Sequence, residues 1–294
     1  MPTGASKLDE FESLFRSAIH EVFHFSPPVL TKALLVTDLD EAASNELLVK
    51  VQAFLASIDS AQSVTWQVAS REAWVGTDAP PMRVLLDLVE ASETQLIVTY
   101  RHLLGTLDDL PHTLGSVVDT LTQATPAPVL LLPPLARLDF DGLLRHTHSV
   151  MVVTDHITGD DDLVNWGVHF THIDGTLYLA HIEDDATLEH YLDAISKIRG
   201  IETDHARKEI PAKLLEIPQR YLETVAGVLE KNDVRETVVP LVRLGHAITD
   251  YRKLLDEHNI DLLIVNTKDA QQSAMQAMAY ALAVEIRHRP LLLL

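Results

Sequence analysis

The chain of 294 residues contains no cysteine. That absence excludes disulfide scaffolds, thiolate metal sites and cysteine nucleophiles, and it fits a reducing compartment. No apolar run is long enough to cross a bilayer. The opening MPTGASKLDEFES has neither a basic n-region nor an apolar h-region before a cleavage site. A soluble, cytoplasmic protein with no membrane insertion is expected. Positive charge is scarce as well, with 23 Lys plus Arg against 43 Asp plus Glu and a formal net charge of −20. The averaged field repels phosphate backbones and anionic membranes, so nucleic acid is not an expected partner. The same acidity aids solubility and says nothing about fold.

What the chain does have is apolar material. Hydrophobic residues make up 47% of it, enough for two sizeable cores. Its apolar runs repeat. Ala33–Asp38 (ALLVTD) and Val150–Asp155 (VMVVTD) are short β-branched runs that end in a polar turn, as buried parallel strands do. Ser44 is placed to N-cap a helix carrying Leu47, Leu48, Val51, Phe54, Leu55 and Ile58 at helical spacing. In the second copy Asp160, Asp161 and Asp162 suit a helix N-terminus ahead of Leu163, Val164, Trp166 and Phe170.

The next strands are Val64–Val68 and Thr176–Ile182. Late in each half a helix, Met82–Val89 or Ile248–Leu255, runs into a strand, Gln95–Tyr100 or Asp261–Thr267. A last helix then leads to Pro128–Leu132 and to Pro290–Leu294. Strands alternating with helices imply parallel pairing through right-handed crossovers, and unbroken apolar strands imply a sheet covered on both faces. Pro133–Ser149 separates the halves, with the boundary near Asp141. Two segments lie outside the repeat. Residues 7–24 read as an amphipathic helix within an N-terminal extension, residues 1–30, closed by Pro27-Pro28. Residues 184–233 read as a two-helix insertion in the second half.

The Val-Thr-Asp strand ends, the strand LYLAHIEDD (Leu177–Asp185), Val242–Gly245 before a helix, and above all LGSVVDTLTQATPAPVLLL (Leu114–Leu132) together resemble a tandem universal stress protein. That resemblance implies an α/β fold of two adenine-nucleotide-hydrolase-like domains, residues 31–140 and 141–294. Each would be an open, mostly parallel five-stranded sheet with helices on both faces, and the two would pack as a pseudo-dimer through their last strands. It further implies a role in stress response or signalling rather than a settled chemical reaction.

In nucleotide-binding members a Gly-x-x-Gly loop follows the fourth strand, and Gly-Ser opens the last helix. Glycines let backbone N–H groups approach phosphate, and a helix N-terminus adds a favourable dipole. Here Gly115-Ser116 is kept, but the loop before it is broken. Counting back places Gly105 at the second glycine and His102 at the first; counting forward places Tyr100 and Leu103 there. The second half has no glycine from Asn266 to Ile286, and Lys268 alone could offer a charge. By resemblance, nucleotide contacts would come from Asp38, Val68, Gly105, Gly115 and Ser116, and from Asp155 in the second half, with ATP or AMP as ligand. Asp38 and Asp155 read equally as turn acids. With the loops degraded, no cofactor is expected.

Other chemistry is poorly supported. The chain has fifteen histidines, and the pairs His20/His24, His169/His172 and His146/His148 lack the Glu of a His-Glu-x-x-His helix. His181 reads as a core residue. Asp160–Asp162 and Glu183–Asp185 read as capping and solvated acids rather than a cation site, so no metal is expected. Ser116 lacks a nucleophile elbow, so no catalytic residue is assigned. Three functions remain: a non-enzymatic stress protein acting on an unidentified protein partner, as a monomer or homodimer; a nucleotide sensor or weak ATPase in the first half; and a regulatory subunit docking on a transporter or kinase through residues 184–233.

Overall fold

A computed structural model describes residues 23–56, 64–105, 112–142, 144–153, 160–197, 203–267 and 277–294. The strands are β1 (Lys32–Val36), β2 (Thr65–Ala69), β3 (Leu96–Tyr100), β4 (Val129–Leu132), β5 (Ser149–Val153), β6 (Thr176–Asp184), β7 (Thr237–Gly245), β8 (Leu262–Val265) and β9 (Leu291–Leu293). They form one sheet in the order β2-β1-β3-β4-β9-β8-β5-β6-β7. Every pairing is parallel except that of β4 with β9, where Val129, Leu130 and Leu131 face Leu293, Leu292 and Leu291. The fold is mixed α/β with a single large, mostly parallel sheet.

The central strands β3, β4, β8 and β9 are buried at every position, which their unbroken Leu/Ile/Val runs require. Helices supply the covering layers: α1 (Glu41–Leu55), α2 (Arg71–Trp74), α3 (Pro81–Ala91), α4 (Ser116–Ala124), α5 (Asp161–Phe170), α6 (Asp185–Ser196), α7 (Thr203–Lys231), α8 (Ala247–Glu257) and α9 (Ala277–Glu285). The α5 helix comes unusually close to the sheet because Gly167 has no side chain. A Cβ there would stand 2.6 Å from Val152 Cγ2 and 3.0 Å from Leu177 Cδ1.

Residues from β5 onward contribute five strands, but among the described residues those before Leu135 contribute four rather than the expected five. The exposed Gly76–Pro80 (GTDAP) lacks β-branched alternation, and short helices take its place between β2 and β3. In consequence β2 is an edge of the sheet. The other edge, β7, carries Pro240. Thr237 N donates to Gly175 O at 2.9 Å, so Thr237 and every second residue after it turn their backbone groups toward β6. Pro240 then falls on the outward set, where a missing N–H costs no ladder bond.

Two details differ from the sequence reading. Asp40 caps α1, accepting from Ala43 N at 2.8 Å. Ser44 is instead buried inside the helix, its hydroxyl 2.6 Å from that of Thr37. The segment before β1 is tied to the second half: Ser26 N donates to Asn165 Oδ1 at 3.0 Å, Asn165 Nδ2 to His24 O at 3.1 Å, and His24 N to Asp161 Oδ2 at 3.1 Å. Phe23, 2% exposed, anchors it in the core, a burial worth about 1.5–3 kcal/mol. Most of the helix expected over 7–24 lies outside the described residues. Between β6 and β7 stand α6 and α7; Leu188, Leu192, Ile195, Ile210 and Leu214 form a small cluster apart from the main core.

Candidate functional site

In open α/β sheets, ligands bind outside the carboxyl ends of the strands. In the first half that region is built by the turn after β1, the loop after β3 and the start of α4. Thr37 holds the turn. Its hydroxyl contacts Ser44 and accepts Leu39 N at 3.3 Å, while its carbonyl accepts Trp74 Nε1 at 2.9 Å.

Asp38 follows, and its carboxylate is engaged by its own chain. The Tyr100 hydroxyl donates to Asp38 Oδ1, and Leu104 N donates to Oδ2 at 2.8 Å. The hydroxyl oxygen also accepts Asp38 N at 3.1 Å. Burial first, and the Asp38 hydrogen bond second, push the Tyr100 pKa well above the usual phenol range, so the hydroxyl stays a donor.

The loop takes the left-handed backbone that glycines would supply, without glycines. His102 and Leu104 both have φ of 63°. Each left-handed non-glycine residue costs roughly 1–2 kcal/mol, which the bonds made by the loop offset. Gly105 N closes a turn onto His102 O at 3.0 Å, and His102 N reaches Leu114 O at 3.3 Å. Gly115 has φ of 99°, and a Cβ on it would lie 3.4 Å from His102 Cα. The loop is thus laid against the start of α4.

Of the residues named from sequence, Asp38, Gly105, Gly115 and Ser116 gather around this loop. Val68 sits half-buried on β2, opposite Leu35. Gly105 is not left-handed, and Ser116 is exposed at the first turn of α4, whose N-cap residue offers no side-chain bond. Asp155 and Lys268 lie outside the described residues. The sequence reading missed Tyr100 and Leu104 as partners of Asp38. The signal was present only as a tyrosine ending β3, level with the acid after β1.

At the equivalent end of the second half, Asp160 caps α5 through Leu163 N at 3.2 Å and accepts Asn266 Nδ2 at 3.0 Å. Burial raises its pKa, partly offset by those two bonds. Asp161 accepts the Tyr221 hydroxyl at 2.8 Å in addition to His24. Asp160 and Asp161 thus serve as caps and struts. Asp184, Asp185 and His246 are the group among the described residues whose ligand atoms all lie within 4.8 Å of one another. His246 Nδ1 stands 2.7 Å from Asp185 Oδ1, an ion-pair distance. His181 is buried and faces Glu183 at 3.3 Å. His146, His148 and His172 cluster at the opposite end of the sheet: His146 meets His148 edge-on with ring centroids 4.4 Å apart, and His148 and His172 lie tilted with centroids 4.3 Å apart. An open groove of ≈ 680 Å³ lies near that end, between the last turns of α7 and the start of β7, with Glu230, Asp233, Arg235 and Glu236 on its walls.

A universal stress protein from Archaeoglobus fulgidus has a similar structure, with a TM-score of 0.55 and 14% identity over 89% of this chain and 95% of that one. A protein of unknown function from Pseudomonas aeruginosa covers 90% of this chain and 92% of its own at 12% identity, with a TM-score of 0.46. The first of these defines the fold class, the α/β architecture of universal stress proteins. No protein-family model matches the sequence, and no curated protein does.

Proposed function

We propose that the chain is a tandem universal stress protein, its halves joined as an internal pseudo-dimer, that acts in the cytoplasm by binding another protein and catalyses no reaction. The observation that carries the reading is the state of Asp38. The acid that would meet a nucleoside accepts the Tyr100 hydroxyl and Leu104 N instead, and non-glycine residues fill the loop that would cradle phosphate. Direct titration with ATP, ADP and AMP tests it. No saturable binding in the micromolar range is expected, and micromolar or tighter binding would sink the non-binding part.

The helical pair α6 and α7 favours a regulatory docking role as a second reading, because the cluster joining α6 to the first turns of α7 is separate from the main core, to which Tyr221, Leu222, Val225 and Leu229 further along α7 belong. Reversing the exposed charges Glu189 and Asp193 on α6 to Lys should leave the sheet folded, because both side chains face solvent, while abolishing association with a transporter or kinase partner. A partner retained by the double variant would end that reading.

A further inference from the structure

Arg101 is 2% exposed, and among the described residues no carboxylate pairs with it. Its Nη2 donates to Ile286 O at 2.8 Å, but its Nε is buried without a partner. Arg287, from the other half, comes close enough to repel it. Burial first, and Arg287 second, push the Arg101 pKa down to about 9. Arg287 donates through Nε to Val284 O at 3.0 Å, and its Nη2 lies 3.0 Å from His112 Nδ1. His102, 8% exposed, has its pKa lowered by burial, then by Arg101 and Arg287.

The carbonyls at the end of α9 answer part of this charge. A helix C-terminus presents roughly half a negative charge, against two guanidiniums. Near the same loop, α4 begins at Gly115 with no side-chain cap, so its first N–H groups remain unsatisfied by any cap. In a chain of net charge −20, this concentration of donors has the wrong sign for chance solvation. An unpaired buried donor costs about 1–3 kcal/mol, and a small anion carrying several acceptor oxygens would remove that cost.

We propose that the seam between the halves binds a phosphate-class anion, held by the side chains of Arg101 and His112 from one half and Arg287 from the other. The site differs from a glycine cradle in that side chains from both halves supply its donors. It does not rest on the universal stress protein reading or on Asp38. The anion is either free inorganic phosphate or the phosphate of a nucleotide, and the exposed His112 beside the half-buried Arg287 is its approach.

The test titrates the full chain with inorganic phosphate, then with AMP, at constant ionic strength set by chloride, following heat and thermal unfolding. Saturable binding with a rise in Tm is expected for phosphate and not for chloride. Arg287→Gln should weaken binding at least about tenfold, a loss of about 1.4 kcal/mol. Arg287→Lys, which keeps the charge but not the fork, should fall between and guards against a folding defect in the first variant. AMP binding more tightly than phosphate, and losing that affinity in Arg287→Gln, would assign the site to a nucleotide. That outcome would overturn the non-binding reading of the protein while upholding the anion site. No phosphate response beyond that of chloride, or a response unchanged in both Arg287 variants, would overturn the site itself.

Discussion

Leu104 N donates to Asp38 Oδ2 at 2.8 Å, which closes the loop after β3 over the turn after β1. The bond requires the left-handed backbone of Leu104, so the closing contact and the local strain depend on each other. With the Tyr100 hydroxyl on the other oxygen, Asp38 serves as the anchor of its own loop.

Removing that hydroxyl tests the anchor. Tyr100 is 2% exposed, so Tyr100→Phe keeps the packing and deletes both the bond donated to the Asp38 carboxylate and the one accepted from Asp38 N. A loss of about 1.5–3 kcal/mol is expected in urea unfolding. A loss below half a kcal/mol, within the scatter of neutral substitutions, would mean that water replaces the contact.

Gly115→Ala should destabilise the chain by about 1–2 kcal/mol, since a Cβ at positive φ is disfavoured. The added methyl would also press on His102 Cα at 3.4 Å. Thermal unfolding reads the change, and an unchanged Tm would mean that the loop moves away from α4 without cost.

The clustered histidines predict a loss of stability in acid. His148 is held below its usual value by burial first, then by His146 and His172, against opposing contributions from Asp261 and Asp174. A depressed folded-state pKa means that the unfolded chain binds the proton more readily. The stabilisation is therefore complete above the unfolded value of 6.5 and is lost as pH falls through the folded one. The urea midpoint should drop between pH 7 and pH 5, and less steeply in His148→Gln. Equal slopes for parent and variant would place the proton uptake elsewhere, with His102 next in line because its pKa is lowered in the same direction.

Pro240 leads to a prediction about association. It interrupts the outward donors of β7, whose Leu244 is 37% exposed. Pro240→Val restores an N–H to a free edge of nine residues. Sedimentation velocity should show concentration-dependent self-association beyond that of the parent. A variant whose association matches the parent's would mean that β7 is shielded by other means.

Much of the strand pattern was legible because apolar runs report burial directly. ALLV and VMVV read as buried strands, and β1 and β5 are buried through those runs. Pairing partners were harder to read. Nothing in ALLVTD says that a tyrosine sixty residues later will hold its acid, because hydrophobic periodicity marks a face and not what the face meets. Asp40 took the capping role expected of Ser44 because the chain needed a hydroxyl inside, against Thr37. Arg101 was invisible for a related reason: an arginine in a polar loop reads as solvated, and only the neighbouring chain end at Ile286 makes it a buried cation.

The antiparallel pairing of β4 with β9 has a kinetic meaning. Two separate subunits joined edge to edge in this way would come apart on dilution, and their pairing would follow their abundance. Here both strands belong to one chain, so closure is unimolecular and proceeds at a fixed effective concentration. The joined state is therefore the same at the first copy synthesised as at the thousandth: abundance sets how many joined pairs exist, and not whether a pair is joined.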